Sequence, residues 1–109
     1  MIDTIKSRKD FLSVQNNGNK VVTVGFILQS AINTNCEKAT RFGFTASRKI
    51  GSAVIRNKAK RRLRALVQEI LIEKCKPGID YVLVARKTTP TRKFEKLRKD
   101  LFWAINNLG

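Results

Sequence analysis

Hydrophobic positions recur along this chain with two different periods. From Lys20 to Ser30 they alternate: Val22, Val24, Phe26 and Leu28 fall on one face, and Val21, Thr23, Gly25, Ile27 and Gln29 on the other. That is the two-residue period of an extended strand, in which Gly25 either bends the run or divides it into two strands. Phe42, Phe44 and Ala46 alternate with Gly43, Thr45 and Ser47, predicting a strand with one apolar face and one of small, mostly polar residues. The small face leaves room for something to lie against the sheet, although a solvated face has the same composition. Tyr81 to Arg86 is almost continuously apolar and predicts a buried strand.

Three other stretches repeat at three- and four-residue steps, the helical period. Ala59, Leu63, Leu66, Val67, Ile70 and Leu71 form one stripe; Phe94, Leu97, Leu101, Ile105 and Leu108 form another. A shorter one places Phe11 beside Val14. The boundaries carry their own signals. Ser7-Arg8-Lys9-Asp10 fits a capping box, and Asn17-Gly18 ends the first helix. Ser52 is placed to cap the central helix so that Ala53 opens it, Pro77-Gly78 stops the chain beyond it, and Thr91 is placed to cap the last helix. Ala31 to Thr40 is polar and irregular, hence a loop. Trp103 falls opposite the last helix's apolar stripe, where it either covers a neighbouring loop or meets a partner. The order is helix, two or three strands, helix, strand, helix: an α+β sandwich in one domain, residues 1–109.

Composition sharpens this picture. The 109 residues suit one modest core, and 42% hydrophobic content argues against disorder. Lys and Arg number 23 against 8 Asp and Glu, a net charge of +15, which points to a polyanionic partner, nucleic acid before membrane. The cations concentrate between Ser47 and Arg64, where Arg48, Lys49, Arg56, Lys58, Lys60, Arg61, Arg62 and Arg64 occur and no acid stands between Glu37 and Glu69. Lys58, Arg61, Arg62 and Arg64 fall off the apolar stripe and are expected to face solvent or a partner. Arg56 lies near the stripe's line, one turn ahead of the packed region. Such a face is costly for a helix alone. Each like-charged i,i+4 pair, such as Lys60–Arg64, is unfavourable by about 0.2–0.5 kcal/mol, and cations in a first turn oppose the helix dipole. A docking polyanion offsets both costs.

Catalytic chemistry is sparse. Histidine is absent, which removes the commonest general base, and the acids are scattered. Glu69 and Glu73 stand i,i+4, where pairing with a nearby Lys or Arg is the ordinary reading. Gly51 stands alone, so no glycine-rich phosphate loop is present. Cys36 and Cys75 lack metal-site spacing and read as free thiols in a reducing compartment. No apolar run is long enough for a bilayer, and the N-terminus lacks a signal-peptide core, so a soluble, cytoplasmic protein is expected.

The stretch FGFTASRKIGSAVIRNKAKRRLR resembles the signature of the bacterial ribonuclease P protein component, with Arg56-Asn57-Lys58 in place of the family's Arg-Asn-Arg triplet. Arg8-Lys9-Asp10-Phe11 with Gly18, and Pro77-Gly78-Ile79-Asp80-Tyr81-Val82-Leu83-Val84-Ala85-Arg86-Lys87, resemble its first helix and last strand. The resemblance implies a four-stranded sheet whose basic helix lies in a left-handed crossover between parallel strands, where handedness rules alone predict the right-handed form. It further implies a subunit of a ribonucleoprotein endonuclease that removes the 5′ leader from precursor tRNA. In that enzyme the catalytic RNA performs the hydrolysis with its own Mg2+, and the protein holds no metal, needs no membrane or protein partner, and is inactive alone.

By position, the resemblance implies that Lys49, Arg56, Asn57, Lys58, Lys60, Arg61, Arg62 and Arg64 face the catalytic RNA. It places Phe11, Gln15, Ile27, Gln29 and Thr45 along the precursor leader. Gln15 and Gln29 stand where many relatives carry aromatic side chains, which removes stacking worth about 1–3 kcal/mol per base. Lys58 keeps the charge of an arginine without its bidentate fork. Charge alone is also met by a generic basic RNA-binding or ribosome-associated protein. A self-sufficient nuclease and a membrane-surface helix have less behind them, the second because the basic helix lacks aromatic anchors.

Overall fold

The structure, a computed structural model, describes residues 3–5, 8–32, 40–71 and 78–108. Five strands form one mixed sheet: β1 (Asp3–Thr4), β2 (Asn19–Val22), β3 (Phe26–Ile32), β4 (Arg41–Thr45) and β5 (Ile79–Ala85), in spatial order β1-β4-β5-β3-β2. Three helices cover it: α1 (Arg8–Asn17), α2 (Ala53–Leu66) and α3 (Phe94–Asn107). The expected α+β order is present. Four strands were expected; β1 is an additional two-residue strand, parallel to β4, whose exit is fixed by Ile5 N–H donating to Phe42 O at 2.8 Å. Two residues carry no alternation, so no periodicity marks it.

β4 and β5 are parallel neighbours joined through α2, while β3 runs antiparallel to both β2 and β5. One sheet face meets α2 and α3 in the main core, where Phe26, Leu28, Leu63, Leu66, Leu83, Leu97 and Leu101 are completely buried. The opposite face carries α1 over a smaller cluster of Ile5, Val14 and Val82. The molecule is thus three layers, one helix, a sheet, and two helices.

The run from Lys20 to Ser30 divides at Gly25, one of its two expected outcomes. The turn reverses the facing of the first half. Thr23 N–H donates to Phe26 O and Thr23 Oγ1 accepts from Phe26 N–H, so Val21 pairs with Leu28 and joins the core. Val22 and Val24, expected on the Phe26 face, are instead 49% and 54% exposed. A Cβ on Gly25 would lie 2.5 Å from both Leu97 Cδ2 and Asp100 Oδ2, so the turn closes on α3 only without a side chain.

Other boundaries moved slightly. β3 continues to Ile32, so the expected loop starts later, and residues 33–39 lie outside the described ones. The last strand starts at Ile79, two residues ahead of expectation, and ends at Ala85. Beyond Leu66 the central helix widens into one π-type turn, Val67–Leu71. Ser7, Cys36, Glu73, Cys75 and Pro77 lie outside the described residues, as do the side chains of Ile70 and Leu71. Thr91 does not cap the last helix. Lys93 occupies that position without a side-chain cap, because the chain first makes a threonine-rich turn held by Thr89. The buried Thr89 hydroxyl donates to Gly25 O at 2.5 Å and accepts from Arg86 N–H at 2.8 Å.

Candidate nucleic-acid interface

The basic helix starts as its sequence dictates. Ser52 Oγ accepts from Ile55 N–H at 3.4 Å, and Ala59, Leu63 and Leu66 are buried against the sheet. Burial of that stripe fixes the helix rotation. Asn57, Lys58, Arg61 and Arg64 are consequently exposed, with Arg56 and Lys60 half-buried at the flanks. Arg48 and Lys49 are exposed on the 3-10 turn Arg48–Ile50 that precedes the helix. Among the described residues the ion pairs are Arg41–Asp10, Arg41–Asp80, Arg92–Asp100 and Arg98–Glu69, and none uses a cation of α2. Glu69 thus has the basic partner expected of it, supplied by α3.

Two of these arginines are oriented rather than loose. The Arg64 guanidinium stands 5.5 Å from the Phe44 ring centroid, a cation–π contact at the exposed side of the helix. Arg56 Nε is withdrawn from solvent and has no acceptor. A buried donor left unpaired costs about 1–3 kcal/mol, which an incoming anion can recover.

Arg62 breaks the expectation set by its helical position. It is half-buried and turned toward the segment ahead of α3. One terminal nitrogen donates to Thr89 O at 2.5 Å, the other donates to Arg92 O, and the guanidinium lies 6.0 Å from the Phe94 ring centroid. Desolvation there lowers its pKa. Residue 62 follows the buried Ala59 by three positions, on the side of α2 turned to α3, and the long stem reaches the turn ahead of α3. Periodicity around one helix cannot reveal an acceptor supplied by another segment.

The second surface is the sheet face under α1. Register places Thr45, Val84, Ile27 and Val22 in one row across four strands, and Gly43, Val82, Gln29 and Lys20 in the next. A third row contains Arg41, Asp80 and Ala31. α1 lies over the inner rows. Phe11 sits on Gly43, where an added Cβ would come within 2.4 Å of ring carbon Cε1. Arg41 ties the helix down, donating through Nε and a terminal nitrogen to Asp80 at 2.9 and 2.7 Å and through the other nitrogen to Asp10 at 3.2 Å. The Asp80 hydrogen bond is the chief cause that raises the Arg41 pKa.

Beside α1, the half-buried Phe11 and the exposed Gln15, one turn further along the helix, line a depression with Arg8 and Leu12, while Ile27, Gln29 and Thr45 are half-buried on the sheet face that α1 partly covers. The five residues expected along a leader therefore border one face. Beyond the C-terminal ends of β4 and β5 lies a depression of about 490 Å³, with Ser47, Lys49, Arg86 and Lys87 around an apolar floor of Val24 and Ile50. Arg86 and Lys87 were not singled out as site residues by periodicity; two adjacent cations directly after a buried strand were the available signal.

Among the described residues no group of His, Cys, Asp and Glu is arranged to hold a metal ion, and no helix is long and apolar enough to cross a membrane.

A family model described as Ribonuclease P matches residues 2–109. Curated relatives named ribonuclease P protein component include one from Paramagnetospirillum magneticum, 38% identical over 99% of this chain and 84% of its own. A second, from Gluconacetobacter diazotrophicus, is 38% identical over 96% of this chain and 90% of its own. The fold is similar to that of the ribonuclease P protein from Thermotoga maritima, with TM-score 0.80 at 24% identity over 98% of both chains. The Staphylococcus aureus protein gives TM-score 0.77 at 24% identity, over 97% of this chain and 94% of that one. With a family model spanning residues 2–109 and relatives 38% identical over nearly the whole chain, the chain belongs to the ribonuclease P protein family.

Proposed function

We propose that this chain, as the protein subunit of the ribonuclease P holoenzyme that matures tRNA 5′ ends, uses α2 to dock on the catalytic RNA and the cleft beside α1 to hold the precursor's leader. The observation that carries this reading is the outer face of α2, where Lys58, Lys60, Arg61 and Arg64 have no carboxylate partner among the described residues. A folded RNA presents phosphates and 2′-hydroxyls, and a rigid row of cations meets them by shape and charge rather than by sequence. Asn57 adds a neutral donor–acceptor beside the row, Lys49 extends it, and the unpaired Arg56 Nε supports a phosphate oxygen at the start of the helix. Arg62 is excluded from the contact surface in this reading, because its donors are already used.

The leader lies over Ile27, Gln29 and Thr45 with Phe11 and Gln15 at its side. The half-buried floor gives van der Waals contact without base-edge readout, which suits a strand of variable sequence. Hydrolysis and Mg2+ belong to the RNA, and the protein works in the cytoplasm. Reconstitution tests this. The chain added to its cognate RNA at low Mg2+ should restore cleavage of precursor tRNA, whereas the chain alone should not cut. Equal cleavage with and without the chain, under conditions where the RNA alone is impaired, refutes the assignment.

A further inference from the structure

The first row of the open sheet face does not stop at the cleft. It runs Thr45, Val84, Ile27, Val22, and Val22 is the last residue of the edge strand β2. Four strands about 4.8 Å apart make this row roughly 14 Å long. At its outer end, Val22, Thr23 and Val24 face Trp103 of α3 across a cavity of about 230 Å³. Trp103 is 54% exposed, and Val22 and Val24 are about as open. The reversal of facing at the Thr23–Gly25 turn is what brings both valines outward to meet the indole.

We propose that Trp103 is a stacking platform for one unpaired base of the precursor's 5′ leader, where the strand leaves the cleft over the β2 edge. The inference rests on the leader reading above. Three features of this surface favour RNA over an apolar protein partner. Lys20 stands on the same face of β2 as Val22, one row inward, and is exposed, while Lys99 is exposed one helical turn before Trp103. The one carboxylate lining the cavity, Asp100, is neutralised by Arg92, whose Nε and a terminal nitrogen donate to its two oxygens at 2.7 and 3.1 Å. Val24 also lines the depression bearing Lys49, Arg86 and Lys87, so the patch is continuous with cations able to hold the backbone on either side of a stacked base. Inside the cleft the one aromatic wall, Phe11, is committed to Gly43, and Gln15 and Gln29 cannot stack as rings do. The exposed indole supplies at the rim what the floor lacks.

Trp103 is the only tryptophan, so its fluorescence reports the contact directly. The experiment uses reconstituted holoenzyme with mature tRNA and with precursors whose leaders increase stepwise in length. Quenching should set in only once the leader is long enough to cross the row. Trp103→Ala should weaken binding of long-leader precursors roughly 5- to 150-fold, and leave short-leader precursors and mature tRNA unchanged. Trp103→Phe should recover most of the loss; circular dichroism verifies that each variant is folded. Preserved leader-length dependence in Trp103→Ala overturns the platform and leaves the cleft reading intact. Absence of any leader dependence in the unaltered protein overturns both. Quenching by the catalytic RNA before precursor is added overturns the assignment to the leader.

Discussion

Replacing Arg62 separates what the helix pattern suggests from what the packing does. The side chain donates to Thr89 O and Arg92 O and lies against Phe94. Each hydrogen bond from a charged donor contributes about 1.5–3 kcal/mol, so two give roughly 3–6 before offsets. Truncation removes the desolvation of the guanidinium but leaves the carbonyl of the buried Thr89 without that donor. The net loss for Arg62→Ala is then about 2–4 kcal/mol, because Thr89 also anchors the Gly25 turn and its loosening propagates there. With a shift of about 4–8 °C per kcal/mol in domains near this size, Tm should fall by roughly 8–32 °C. Urea and thermal unfolding followed by circular dichroism measure this. Affinity for the catalytic RNA, taken well below the new Tm, should stay within about twofold. Arg62→Lys keeps the charge but cannot span two carbonyls, and should lose about half as much stability. The reasoning is refuted if Arg62→Ala unfolds like the parent while RNA affinity drops tenfold, with Arg62→Lys restoring binding.

Four further outcomes are expected. Substituting Lys58, Lys60, Arg61 and Arg64 together by alanine should reduce the slope of log K against log salt for RNA binding by about three, with the fold retained; an unchanged slope places the RNA elsewhere. Gly43→Ala drives a methyl group into Phe11, costing about 1–3 kcal/mol, and should weaken precursor binding more than mature tRNA binding in a filter-binding comparison. Arg41→Ala strips a nearly buried cation from Asp80 and Asp10, and should destabilise by about 3–5 kcal/mol in urea titration. Ser52→Ala removes a long, exposed cap bond and should cost only about 0.5 kcal/mol, visible as reduced helicity in circular dichroism of the native state.

The elements were legible because each apolar stripe chooses its own period. Ala59, Leu63, Leu66 and Val67 are completely buried, and Leu97 and Leu101 likewise, as their spacing requires. Where the reading failed, a non-local partner decided. Val22 and Val24 obey the alternation of their own run, yet the Thr23 hydroxyl closes a turn between them and Phe26 and shifts the phase. Thr91 has a capping side chain, but the turn is spent satisfying Gly25 and Arg62 first, and the helix begins two residues later. Arg62 looks like its exposed neighbours until the segment it binds is folded beside it. Of the eight residues expected on the basic surface, seven stay clear of the packed core and one, Arg62, is drawn inward. The cleft floor could not be derived from spacing, since Ile27, Gln29 and Thr45 are assembled by strand register across β3, β5 and β4; only the family pattern pointed to them.

The strand that completes the sheet is the last to be synthesised. β5 sits between β4 and β3, so the β1-β4 and β3-β2 pairs are not joined into one sheet until residue 85 has emerged. A nascent chain at that stage already exposes the whole of α2, with its cations in place and its leucines still uncovered. Sheet closure therefore depends on a late, non-local zippering step, which slows folding relative to a helical domain of this length.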